Sequence, residues 1–175
     1  MEEQNLTNRI ASKNIDLNAN SFHQTVLLEL EKLLEDVIGL EESQSFIGMV
    51  ADKVGELFYE QYKRELSDEI LSVETLAHIL VDLKRRIGGE FRISEVSPEA
   101  IVLMNSRCPF GVNVVGKKPL CNMTANVFGK IVSSELSYAA VELNKTIANG
   151  DGYCHVIIHL QPGREDEGII NEYFG

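Results

Sequence analysis

At Gly88 and Gly89 the apolar residues of this chain change their period. Before that pair they recur every three or four positions, as one face of a helix requires; after it they alternate, as one face of a strand requires. The chain therefore divides into a helical first half and a sheet-forming second half. That is an α+β class, with helices packed on an antiparallel sheet.

In the first half, Ser21 with Gln24 three positions on reads as a capping box. Phe22, Val26, Leu30, Leu33, Leu34 and Val37 then keep helical spacing until Gly39. A second helix fits Ser43 to about Tyr62, with Phe46, Ile47, Val50, Val54, Leu57, Phe58 and Tyr62 on a stripe that suits core packing or a dimer seam. A third starts after Ser72 and carries Val73, Leu76, Ala77, Leu80, Val81 and Leu83 to Ile87. The cluster Lys84, Arg85 and Arg86 ends that helix, where the macrodipole favours positive charge, and reads as a solvated end. Residues 1–20 are polar and read as a flexible arm.

In the second half, Glu90 to Val96 and Ala100 to Met104 read as a β-hairpin turning at Ser97 and Pro98. A helix is predicted from about Met123 to Leu136. Two more strands, Ala139 to Ile147 and Tyr153 to Leu160, are joined through Asn149, Gly150, Asp151 and Gly152. The expectation is a sheet of about four strands with one inserted helix. It belongs to a single domain over 21–162, helical over about 21–88 and sheet over about 89–162, with a tail at 163–175.

With 27 acidic against 16 basic residues, the net charge of -11 repels phosphate backbones and anionic lipid. Direct binding to nucleic acid or membrane is not expected. No apolar run approaches the ~20 residues that span a bilayer. Glu2 and Glu3 stand where a signal peptide carries basic residues, so a cytoplasmic location is expected.

In that reducing compartment the three cysteines are available for metal binding or redox chemistry. Cys108 leaves the second strand and precedes Pro109, which ends sheet pairing there. Cys121 falls at the mouth of the inserted helix, where free N–H groups favour a low-pKa thiolate. Cys154 opens the last strand and shares its apolar face with Val156, Ile158 and Leu160. Alternation sends His155 to the opposite face, which removes it as an easy fourth ligand. Three thiolates suit zinc or an iron-sulfur cluster and leave one coordination position open.

The strings LKRRIGGEFRI (Leu83 to Ile93), IVLMNSRCPFG (Ile101 to Gly111), LCNMTANVFGKI (Leu120 to Ile131) and TIANGDGYCHVII (Thr146 to Ile158) resemble the family called methanogen output domain 1. That family is similar to 4-vinyl reductase-type small-molecule-binding domains. The resemblance implies a sensory or output module of prokaryotic regulators, often dimeric, with cysteines serving redox sensing or metal binding. In the related aromatic-sensing activators, three cysteines and a glutamate hold zinc beside an organic ligand. Cys121 and Cys154 match the first and last of those cysteines. Thr146 replaces the middle one, Leu143 the glutamate, and Cys108 is an addition of the output-domain relatives.

Sequence reasoning thus gives a sensory domain with Cys108, Cys121 and Cys154 as one metal, iron-sulfur or thiol site. Phe110, Met123, Thr124 and Phe128 form the ligand pocket beside it. A homodimer, a signalling partner protein and a small-molecule ligand are the expected partners. A scaffold or adaptor with buried cysteines is the alternative. His78, Asp82, Glu90, His155 and His159 offer acid-base groups, but no nucleophile triad, HExxH or phosphate loop joins them, so no enzyme is expected.

Overall fold

A computed structural model describes residues 2–15, 17–66, 70–163 and 169–175. The helices are α1 (Glu2–Ala11), α2 (Ala19–Ile38), α3 (Leu40–Glu65), α4 (Val73–Arg86) and α5 (Lys118–Leu136). The strands are β1 (Phe91–Val96), β2 (Ala100–Asn105), β3 (Tyr138–Lys145), β4 (Cys154–His159) and β5 (Ile169–Phe174). They form one antiparallel sheet in the order β1-β2-β4-β3-β5. Among the described residues no helix is long and apolar enough to cross a membrane.

The α+β reading holds, with three differences. The polar stretch expected as an arm carries α1. Residues 169–174, expected within the tail, pair with β3 as a fifth strand, while residues 164–168 lie outside the described ones. The first long helix starts before Ser21: Asn18 is its N-cap, and Ser21, the third residue of the helix, closes an Asn18–Ser21 capping box. Gln24, freed from that box, reaches the loop after β2 instead.

The inward face of the sheet follows from register. Ile101 pairs with Ile158, Leu103 with Val156, and Asn105 with Cys154, so these residues share one face. Helix α5 lies on that face with Phe128, Ile131 and Val132 buried, and α4 adds Leu76, Leu80 and Leu83. Removing the fully buried Phe128 side chain would cost about 3–5 kcal/mol in transfer and cavity terms. Helix α3 runs along α5, where Gly55 admits the backbone of Val127 and the stem of Lys130.

On helix α2 the residues at helical spacing, Phe22, Val26, Leu30, Leu33 and Val37, are exposed, whereas Glu31 is buried at 2% exposure. Glu31 Oε2 lies 2.7 Å from Nζ of Lys117, the residue before α5.

A cavity lined by three cysteines

The second small core, Val114, Leu120 and Ala148, joins the CPFG loop, the start of α5 and the turn before β4. It brings three remote points of the chain together. Cys108, Cys121 and Cys154 line one cavity of about 20 Å³, walled also by Asn105, Thr124 and Thr146. Room for one water needs roughly 10–15 Å³, so the space between the thiols is about one water wide. Cys108 also lines an outer cleft of about 500 Å³ between the start of α2 and the glycine turn. The cavity therefore sits next to an open approach.

Each thiol has a distinct setting. Cys154 is half-buried on β4, and its Sγ accepts from the Ile147 N–H at 3.5 Å and from Asn105 Nδ2 at 3.6 Å. The Asn105 amide is fixed because its Oδ1 accepts the backbone N–H groups of Glu90 at 3.1 Å and Arg107 at 3.2 Å, leaving the NH2 end for sulfur. Cys108 stands in the loop, pushed up from the ordinary thiol value by burial. Cys121 is the fourth residue of α5, since that helix begins at Lys118 and not near Met123.

The low-pKa role expected for Cys121 is not what its surroundings produce. Burial and the neighbouring Cys154 and Cys108 push it up to about 11, against hydrogen bonds with Thr146 and Ala148. Desolvation outweighs the helix terminus here. Of the expected pocket residues, Phe110 and Thr124 line the cavity. Met123 and Phe128 instead pack in the main core.

Sequence reasoning missed Lys84. The basic run at the end of α4 was expected in solvent, and Arg85 and Arg86 are exposed, but Lys84 is 4% exposed. Its Nζ donates to Thr124 Oγ1 at 2.9 Å and lies 5.0 Å from the Phe128 ring centroid. Burial holds its pKa down to about 8, opposed by the three thiols. The signal was present in the spacing: Ala77, Leu80 and Lys84 stand at i, i+3 and i+7, the buried stripe of α4.

Leu143 and Thr146, which replace a glutamate and a cysteine of the zinc-holding activators, both line the cavity. Among the described residues no group of three His, Cys, Asp or Glu side chains stands in an arrangement that could hold a metal ion. Three thiols are the donor type that zinc or an iron-sulfur cluster takes, and in this arrangement they are not drawn together as a metal-holding group. Outside the cavity, His159 is buried against Glu142 at 3.1 Å, and His78 is exposed.

The family described as methanogen output domain 1 matches residues 26–159. This chain belongs to the methanogen output domain 1 family. All three cysteines of this output domain fall within the match. A comparison with curated proteins finds no match. Among solved structures, the phenol-responsive sensory domain of the transcription activator PoxR, determined with phenol, is 14% identical with a TM-score of 0.64. The likeness covers 84% of this chain and 77% of that one. An Fe(II) unliganded H-NOX protein from K. algicida is 13% identical with a TM-score of 0.50, covering 82% of this chain and 99% of that one. At such identities the likeness is one of fold, and the output domain shares its helix-on-sheet arrangement with both.

Proposed function

We propose that this output domain is a non-catalytic sensory module whose signal enters as a change of thiol state at Cys108, Cys121 and Cys154. The observation that carries this reading is their convergence on one cavity from a loop, a helix and a strand. Separately placed cysteines inside a core have no reason to share a void, and a scaffold role does not call for one. The sensory character draws on family membership and on the fold shared with the PoxR sensory domain.

A metal-free thiol site is the reading supported by the spacing of the three thiols, which among the described residues are not arranged as a metal-holding group. A buried lysine cation behind the wall also disfavours an added positive ion unless all three thiols ionise. Small reactants reach the site by the outer cleft beside Cys108.

The output passes to a partner through α2. Its exposed Val26, Leu30, Leu33 and Val37 are spaced four, three and four apart, the seam of a coiled coil. Such a seam is self-complementary, so a second copy of this chain is its occupant, and a signalling protein reads the pair. Multi-angle light scattering on wild type and on Leu30→Glu/Leu33→Glu tests this, with a dimer expected only for wild type.

The thiol reading is tested by metal analysis and thiol counting on anaerobically purified protein before and after hydroperoxide. Loss of two free thiols per chain without bound metal supports it. A stoichiometric metal held through all three cysteines, or three thiols unchanged by oxidant, contradicts it.

A further inference from the structure

A cleft of about 470 Å³ lies between α3, α5 and β5, away from the cysteines. Each element brings polar residues to it at its own period. On α3, Gln44 and Asp52 stand one and two turns apart from Gly48; on α5, Asn122 and Asn126 are one turn apart; on β5, Asn171 and Tyr173 alternate. Register turns the last two toward α5, because Asn171 pairs with Val141 and Tyr173 with Ala139, both fully buried.

Asn126 is the floor of this cleft. Its side chain is 9% exposed, and its Oδ1 accepts from the Tyr173 hydroxyl and from Asn171 Nδ2. Those two donors fix the amide with its NH2 end left over. Among the described residues, Asn126 Nδ2 donates to no protein acceptor. Gly48 on the facing helix keeps that group clear, since a Cβ there would stand 2.9 Å from Nδ2. A buried donor without an acceptor is costly, so the floor calls for an acceptor from outside the chain.

The remaining lining selects the chemistry of that acceptor. Glu41, Asp52 and Glu172 are exposed at the rim, and no lysine, arginine or histidine lines the cleft; Lys53 and Lys130 act on Asp52 from outside it. An anion is therefore repelled. An ammonium suits the carboxylates but meets the Asn126 NH2 donor to donor. Among the described residues no cluster of acidic side chains is arranged to hold a metal ion. A hydroxyl both accepts and donates, so a molecule with several hydroxyls answers the floor and the rim together. The volume lies within the roughly 300–1,000 Å³ of small-molecule sites.

We propose that this cleft binds a neutral polyhydroxylated molecule of the sugar or polyol class, with Asn126 Nδ2 donating to one hydroxyl oxygen and the rim carboxylates accepting from others. A ligand seated there touches α3, α5 and the edge strand β5 at once, and so ties β5 to the helices. The site is separate from the thiol cavity, and either reading can fail while the other stands.

The test is a set of NMR titrations of the full 15N-labelled chain. D-glucose, trehalose and myo-inositol are the probes, with spermidine and citrate as charged comparisons. At least one polyol is expected to bind with a Kd at or below about 1 mM, to move the Asn126 side-chain NH2 resonances and to slow amide exchange over residues 169–174. Asn126→Asp keeps the acceptor for Tyr173 and removes the donor, and should weaken binding at least about tenfold. Asp52→Ala, at an exposed position, should weaken it about threefold and gives the same readout if Asn126→Asp does not fold. No saturable response to any of the three polyols overturns the proposal and leaves water as the partner of Asn126. Tighter binding of spermidine or citrate overturns the ligand class, and polyol binding unchanged in both variants overturns the site.

Discussion

Gln24 of α2 donates from Nε2 to the carbonyl oxygen of Pro109 at 2.6 Å. The helix with the exposed apolar seam is thereby tied to the residue after Cys108, and Leu28, one turn on, packs against the same small core of Val114, Leu120 and Ala148 as Cys108 and Cys121. A change at the thiols that shifts the CPFG loop must stretch or break this bond. Oxidation is expected to raise amide exchange over residues 19–30. Gln24→Ala should abolish that response, leave thiol oxidation within about twofold, and cost about 1 kcal/mol of stability. Hydrogen exchange with mass spectrometry on both proteins checks it.

Glu135 near the end of α5 holds three elements at one carboxylate. It accepts from Tyr59 at 2.8 Å, from Lys63 at 2.8 and 3.0 Å, and from the Leu71 N–H at 2.9 Å. Burial works to raise its pKa, and the bonds from Lys63, Leu71 and Tyr59 outweigh that and set it below the usual 4.5. A carboxyl with a lowered folded-state value contributes stability that is present above pH 4.5 and lost as pH falls through the lowered value. Glu135→Gln should flatten the acid limb of stability in urea melts. Glu135→Ala should cost about 3 kcal/mol, because it removes a buried carboxylate that accepts from three residues and leaves the Leu71 N–H without that acceptor.

The Glu31–Lys117 pair is more deeply placed. Glu31 Oε2 lies 2.7 Å from Lys117 Nζ, with side-chain exposures of 1% and 23%, and neither Glu31 oxygen has a well-directed hydrogen bond among the described residues. Lys117→Met leaves an uncompensated buried carboxylate and should destabilise by about 3 kcal/mol. Glu31→Leu combined with Lys117→Met should return to within about 1 kcal/mol of wild type, because an apolar pair of similar volume replaces the ions. Chemical denaturation of the single and double variants decides it.

Gly129 on α5 faces the ring of Tyr173 on β5, and a Cβ at that position runs into the ring. Gly129→Ala should push β5 off the sheet edge at about 1–3 kcal/mol, visible as faster amide exchange over residues 169–174. The thiol cavity, which neither Gly129 nor Tyr173 lines, should keep its alkylation rates.

The sheet half was legible where turn chemistry and alternation were strong. Gly88 and Gly89 mark the change of architecture, and the turn through Gly150 and Gly152, both at positive φ, leads into β4 with the parity that puts Cys154 inward. Strand β5 was not legible, because Asn171 and Glu172 interrupt its apolar pattern and its pairing depends on β3 offering an edge. The spacing of Phe22 to Val37 gave the helix but not its surroundings, because periodicity shows that a helix has an apolar face and not which neighbour covers it. Lys84 was hidden by its company: Arg85 and Arg86 made a plausible solvated end, while one turn of phase placed Lys84 inside. The cysteines could be placed on elements, but their shared cavity needed the register of β2 against β4 and the early start of α5.

The most direct test of the account is disulfide mapping by mass spectrometry on the reduced, metal-free chain after titration with tert-butyl hydroperoxide. One intramolecular disulfide between two of Cys108, Cys121 and Cys154 is expected, with one thiol left free. Three free thiols at full oxidant, or disulfides formed only between chains, would contradict it.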